Sequence, residues 1–271
     1  MVRFQWWDSD TIRHRRSIGT PAVSPRRMAA RPLPVGLLLL LLTGVPSWGA
    51  SPLVSEVRTF STRYHENLPR LDTIREELQQ EVKMDSDVDS LVALAQVCFV
   101  WGDIRATTSA QKLDSYDRGR HVAKRAMELK PKSPEAHFWY ATNTARWGQT
   151  NGVLRSLFLL SAVQEEIRII LDLDPKFTPV YSLAGNVLYE VPRLLGGDVN
   201  KAEEMFRKGL EQDSKFTGMR VGLAKTLIKQ GRTAEARREL QAVLDEKEPH
   251  NLADWVMKDS KQARRLLESI D

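Results

Sequence analysis

From residue 51 onward, apolar residues recur three and four positions apart and hardly ever alternate with polar ones. That period belongs to amphipathic helices rather than strands, so the chain is expected to be all-α, with about nine to eleven helices. Breakers separate the periodic segments: Pro69, the Asp85–Asp89 cluster, Pro131 and Pro134, Asp174-Pro175, Gly196-Gly197, Gly231 and Pro249. Four of the segments end alike, in YDRGRHVAKRAMELKPKS, VQEEIRIILDLDPKFT, KAEEMFRKGLEQDSKFT and AEARRELQAVLDEKEPH. Aligned on those ends they give three columns: Gly119, Val163, Ala202 and Ala236; Ala123, Ile167, Phe206 and Leu240; Ala126, Ile170, Gly209 and Val243. The columns are spaced by four and then three residues, which keeps them on one helical stripe.

The segments in front of these match as well. PEAHFWYATNTA, TPVYSLAGNVLY and TGMRVGLAKTLIKQG each start after a turn and carry a small residue beside an apolar one, at Tyr140-Ala141, Ala184-Gly185 and Leu223-Ala224. Small residues there let the two helices of a hairpin approach closely. The unit resembles the tetratricopeptide repeat (TPR), a helix pair of about 34 residues. Helix pairs fit 88–133 and then three more from 134 to 248, with surplus residues in RWGQTNGVLRSLFL and EVPRLLGGDVN. The ordered set MELKPKSPEAHFWYA, Leu173-Asp174-Pro175, EVPRLLGGDVNKAEEMFRKGL, GRTAEARREL and NLADWVMKDSKQARRLL is more specific. It resembles the TPR-like T-component of TRAP transporters and, more distantly, the helical domain of regulator-of-microtubule-dynamics proteins. The resemblance implies a solenoid of degenerate helical hairpins.

The division expected is a leader at 1–50, N-terminal helices at 51–87, repeats at 88–248 and a capping helix at 249–271. In the leader, Arg26, Arg27 and Arg31 precede the apolar VGLLLLLL of 35–42, and Ser47-Trp48-Gly49-Ala50 follows. A basic flank, a short apolar run and small residues describe a secretory signal peptide at 28–50, with Met28 as a candidate start and a periplasmic or secreted destination. No cysteine ends this segment, so no lipoprotein attachment site is expected.

The leader also changes the charge. It holds seven of the 40 Lys and Arg residues but only two of the 35 acids, leaving 33 of each for 51–271. A formally neutral remainder gives no electrostatic case for nucleic-acid binding.

Candidate chemistry is sparse. Cys98 is the only cysteine and lies in the apolar run LVALAQVCFVW, where a buried, inert thiol is expected. His65, His121, His137 and His250 lack metal-ligand spacing, and no nucleophile or phosphate-loop motif occurs. A non-enzymatic protein without cofactor or metal is therefore expected. Gly196-Gly197-Asp198 could cradle an anion or metal, but Asp198 or Asn200 is better placed to cap the next helix. The apolar stretch Val153–Val163 is expected either as a central core helix or as an oligomer or partner interface.

The solenoid supplies a candidate binding face. First helices of successive hairpins line the inner side. Helical phase places Phe138, Thr142, Ser182, Asn186, Tyr189 and Lys225 there. The expected role is an exported scaffold that holds a protein or peptide partner on this face. The transporter resemblance implies an alternative, an accessory subunit of a periplasmic TRAP-type system that handles a hydrophobic ligand beside a solute-binding protein. Either role is compatible with a homo-oligomer and needs no transmembrane helix in the mature chain.

Overall fold

The computed structural model describes residues 51–84 and 86–270, all within one compact unit, Trp48–Asp271. The expected signal peptide lies outside the described residues. Within them every regular element is helical, and no helix is long and apolar enough to cross a membrane.

Helices α1 (Pro52–Phe60) and α2 (Leu68–Met84) lead into four hairpins. These are α3 (Val88–Ile104) with α4 (Ser109–Leu129), α5 (Pro134–Asn151) with α6 (Val153–Leu173), α7 (Pro179–Glu190) with α8 (Val199–Gln212), and α9 (Thr217–Lys229) with α10 (Thr233–Asp245). The chain ends in α11 (Leu252–Asp254) and α12 (Ser260–Ser269), joined through a π-helical turn at Trp255–Asp259. That junction splits the terminal helix and takes the count of α segments among the described residues to twelve.

Local chemistry sets the boundaries. Asp87 accepts the Ser90 amide, Thr108 and Gln111 form a reciprocal capping box, and Ser133 accepts the Ala136 amide ahead of Pro134. Each cap satisfies amides that have no partner inside the helix. Gly152 (φ 105°) and Gly231 (φ 77°) make the turns inside two of the hairpins in backbone regions that favour glycine.

All three residue columns are buried in the hairpin seams. Two core clusters result. One joins α1 to α5 around Leu71, Ile74, Leu78, Leu91 and Leu94. The other runs from α5 to α12 around Ile170, Phe206, Met219, Leu223, Leu227 and Leu240. Each fully buried large side chain contributes about 1.5–3 kcal/mol. The first helices also touch in sequence: α3 meets α5, α5 meets α7, α7 meets α9, and α9 meets the π turn. They form one continuous wall, as the TPR-like pattern requires.

The surplus residues take two forms. At 146–159 they lengthen the helices, so that α5 has 18 residues and α6 has 21, against 12 and 14 for α7 and α8. The tip of the α5–α6 hairpin therefore outreaches the next one. Val153, Leu154 and Phe158 are 73%, 85% and 75% exposed, while Val163, Ile167 and Ile170 are buried. This corrects the core-helix expectation for Val153–Val163: only its last residue reaches the core, because the shorter neighbour leaves nothing for the tip to pack on. At 191–198 the surplus instead forms a 3-10 turn, Arg193–Leu195, with Leu194 fully out in solvent.

The two ends of the solenoid touch. The Asn251 side-chain amide donates to the Ser61 carbonyl at 3.1 Å, and the Ala253 amide to the Thr62 carbonyl at 2.9 Å. The Tyr64 hydroxyl donates to Asp254 at 2.6 Å. Tyr64 is almost wholly buried. Burial, then the Asp254 charge, push its phenol well above the ordinary range, so it stays a donor.

Candidate functional site

The first helices of the hairpins carry the sequence-derived candidates in two groups. On α5, Phe138 is half-buried, edge-on to Trp139 at 5.0 Å and to Phe177 at 5.4 Å. Thr142, one turn further, is buried and its hydroxyl has no hydrogen-bond partner among the described residues. The second group spans α7 and α9. Asn186 turns its amide back onto the Ser182 carbonyl of its own helix at 2.8 Å. Tyr189 lies under two cations, with the Lys225 and Lys229 ammonium groups each 4.6 Å from the ring centroid. Lys225 also pairs with Glu190 at 3.1 Å, and Lys229 donates to the Tyr189 carbonyl at 3.1 Å. Tyr189 and Lys225 are thus brought together, one turn from Asn186, whereas Phe138 and Thr142 stand apart on α5. Lys229 was missed, although it follows Lys225 by one helical turn and shares its face.

A polar cluster was missed as well, with the Asp103 side chain 6% and the Arg146 side chain 43% exposed. Asp103, at the end of α3, accepts from the Tyr116 hydroxyl at 2.6 Å and from two Arg146 nitrogens at 2.6 and 3.1 Å. Burial works against the Arg146 charge, but Asp103 and Tyr116 outweigh it and hold the guanidinium above its ordinary range. On the terminal segment, Lys258 pairs with Asp254 at 2.6 Å. Burial again opposes the charge, and Asp254 and Asp103 overcome it. Behind them Asp259 accepts from the Thr217 hydroxyl at 2.7 Å.

Burial pushes the Asp259 carboxyl up to about 6. Its folded value exceeds the unfolded one near 3.8, so its stabilising contribution is complete below about pH 4 and is lost as pH rises through about 6. Asp259→Asn keeps an acceptor for Thr217 and removes the buried charge. It is expected to stabilise the protein at pH 7–8 by on the order of 2–3 kcal/mol and to leave the pair alike below pH 4, at 1.36 kcal/mol per pKa unit. Parallel denaturation of parent and variant from pH 4 to 8 checks this; a pH-independent difference would contradict it.

The Gly-Gly-Asp loop is a turn. Gly196 is left-handed at φ 99°, the Asp198 amide donates to the Leu188 carbonyl at 2.9 Å, and Asp198 accepts the amides of Asn200 and Lys201. Asp198, not Asn200, is the cap. Two of the histidines hold elements together: His137 is buried between Glu166 and the Pro131 carbonyl, and His250 stacks on Phe216 at 4.9 Å. Cys98 is buried and its thiol is pushed up to about 12. No group of three or more His, Cys, Asp or Glu residues among the described residues is arranged to hold a metal ion.

This architecture is shared. The structure is similar to TTC0263, a thermophilic TPR protein of Thermus thermophilus, with TM-score 0.59 and 17% identity over 80% of this chain and 98% of that one. MamA from Desulfovibrio magneticus RS-1 aligns at TM-score 0.46 and 14% identity, over 73% of this chain and 97% of that one. No curated protein sequence matches. The tetratricopeptide-repeat profile matches residues 194–255. The profile of regulator of microtubule dynamics protein 1-3 matches residues 54–195, more than half of the 271 residues. With hairpins of the TPR type continuing through its C-terminal half, the chain belongs to the regulator of microtubule dynamics protein 1-3 family.

Proposed function

We propose that the protein is a non-enzymatic scaffold that holds a protein segment against the inner wall of its solenoid. The observation that carries this is the Tyr189 platform. An aromatic ring flanked by Lys225 and Lys229, with Asn186 one turn away, offers stacking, cationic and amide contacts on a wall of rigid helices. The half-buried aromatic residues of α5 extend the same wall. Export to the periplasm, from the leader, belongs to this proposal.

The test is affinity capture from a cell extract with the parent and an Asn186→Ala/Tyr189→Ala variant. A partner retained by the parent is expected to be lost from the variant at unchanged thermal midpoint. Equal capture by both would remove the inner wall from the account.

A second role, the accessory subunit of a TRAP-type transport system handling a hydrophobic ligand, is favoured by one feature, the exposed apolar tip at Val153, Leu154 and Phe158. A solute-binding protein or a second copy of the chain would be its partner there. Native mass spectrometry that finds only monomer, free of lipid, would count against this role.

A further inference from the structure

The apolar tip of the α5–α6 hairpin also carries a charge pattern. From 145 to 164 the chain holds Arg146 and Arg155 and no acid, and from 191 to 197 it holds Arg193 and no acid. The acids at the borders are turned elsewhere: Glu165 pairs with Arg168, Glu190 with Lys225, and Asp198 caps α8. Arg146 is engaged by Asp103. Arg155 and Arg193 are exposed, and neither forms an ion pair among the described residues.

One turn below the tip, the half-buried Trp147 ring meets two guanidinium groups, with Arg120 at 4.5 Å and Arg155 at 5.7 Å from its centroid. Arg120 also pairs with Asp117 at 2.7 Å, so Arg155 is the uncompensated charge. The neighbouring turn adds to the same edge. A Cβ at Gly196 would stand 4.0 Å from the Gln164 side chain, which sets the exposed Leu194 and Leu195 beside α6.

A second copy does not fit this surface. A two-fold contact would set Arg155 and Arg193 against themselves, with no acid to answer them. Five exposed apolar side chains, Val153, Leu154, Phe158, Leu194 and Leu195, also fall short of the roughly 20–30 residues a side of a standard protein interface. A narrow projection of Val, Leu and Phe, with Trp and Arg behind it, instead matches the boundary of an anionic bilayer. There apolar side chains insert, while indole and guanidinium groups stay at head-group level.

We propose that the α5–α6 tip docks the protein on an anionic lipid surface, with Leu154 and Phe158 among the acyl chains and Arg155 and Arg193 on the head groups. This is independent of the Tyr189 platform, and it takes the tip from the protein partners that the transport role would place there.

The test uses the full chain with Leu154→Cys labelled by an environment-sensitive dye. Cys98 is buried with its thiol pushed up to about 12, so it stays unlabelled. A dye at the tip reads the tip itself, whatever residues 1–50 do. Vesicles of one part phosphatidylglycerol to two parts phosphatidylcholine are expected to shift its emission to the blue, and pure phosphatidylcholine to leave it unchanged. The same dye at Lys132→Cys, in the turn at the far end of α5, is expected to stay unchanged. On the labelled background, Phe158→Ser is expected to weaken binding about tenfold and Arg155→Gln/Arg193→Gln about thirtyfold. Both variants replace exposed side chains, so the thermal midpoint should hold. Asn186→Ala/Tyr189→Ala is expected to bind vesicles as the parent does, so that failure here and failure of the Tyr189 platform are told apart. No shift up to about 1 mM lipid, an equal shift on neutral vesicles, an equal shift at position 132, or parental binding by either tip variant would overturn the proposal. A shift that grows with protein concentration in the absence of lipid would give the tip to a second copy and overturn it too.

Discussion

Replacing Phe206 by alanine is expected to cost about 3–5 kcal/mol, among the largest losses available from one side chain in this core. Phe206 is fully buried in the centre of the larger cluster. Its ring reaches α7 at Gly185 and α9 at Gly222. A methyl group at either glycine would stand within 2.6 Å of the ring, at 2.6 Å for Gly185 and 2.5 Å for Gly222. The two glycines therefore exist to admit the ring, and deleting it opens a void that the rigid backbones around it cannot fill. Because each hairpin of a solenoid is stabilised mainly by its neighbours, the loss falls on the coupling of α8 to α7 and α9. Denaturation followed by circular dichroism should show a fall in midpoint of about 10 °C, at roughly 2–4 °C per kcal/mol for a chain of this size. A fall of only 1–2 °C would mean that the ring is not the joint between these hairpins.

Gly197→Ala is expected to disrupt the 191–198 loop outright. A Cβ at Gly197 would stand 1.7 Å from the Val191 carbonyl oxygen and 3.2 Å from that of Leu188. Both are backbone atoms, so no side-chain rotation relieves the overlap, and the chain between α7 and α8 must move. The turn made by the Gly197 amide on the Pro192 carbonyl and the Asp198 amide on the Leu188 carbonyl would then be lost. Gly196→Ala is the control. It meets only the end of the Gln164 side chain, at 4.0 Å, but sits at φ 99°, so it should cost only about 1–2 kcal/mol of backbone strain. Faster proteolysis in the loop and a lower midpoint for Gly197→Ala than for Gly196→Ala are expected. The reverse order would show that conformation, not close approach, fixes this glycine pair.

The contrast between these glycines shows what a sequence discloses. The hairpins were legible because burial recurs: every residue of the three columns lies in a seam, and small residues mark where helices approach. The meeting of the solenoid's two ends was not. Tyr64 and Asp254 are 190 residues apart, and a single tyrosine–aspartate contact has no periodicity to announce it. The α6 tip misled for the opposite reason. Val153, Leu154 and Phe158 are as apolar as core residues, and only the shortness of α7 and α8 leaves them exposed. Asp103 was unreadable in kind, since a charge destined for burial has no local mark until its partner, Arg146 on another helix, is known.

The inner candidates fall between these cases. Helical phase placed Tyr189 and Lys225 on one wall, but not the lysine that completes the pair over the ring. Helical phase puts Asn186 there too, but its amide is bound to its own helix at 2.8 Å, so a partner must compete with the Ser182 carbonyl to engage it. Tyr189 and its lysines, rather than Asn186, are the stronger half of the pair.

The central claim is that a partner lies on the wall of first helices. Hydrogen–deuterium exchange of the protein with and without its captured partner tests it most directly. Added protection concentrated in α7 and α9 around Tyr189, Lys225 and Lys229, with α8 and α10 unchanged, is the result the account predicts. Protection confined to α4, α6, α8 and α10, with the first helices unaltered, would contradict it.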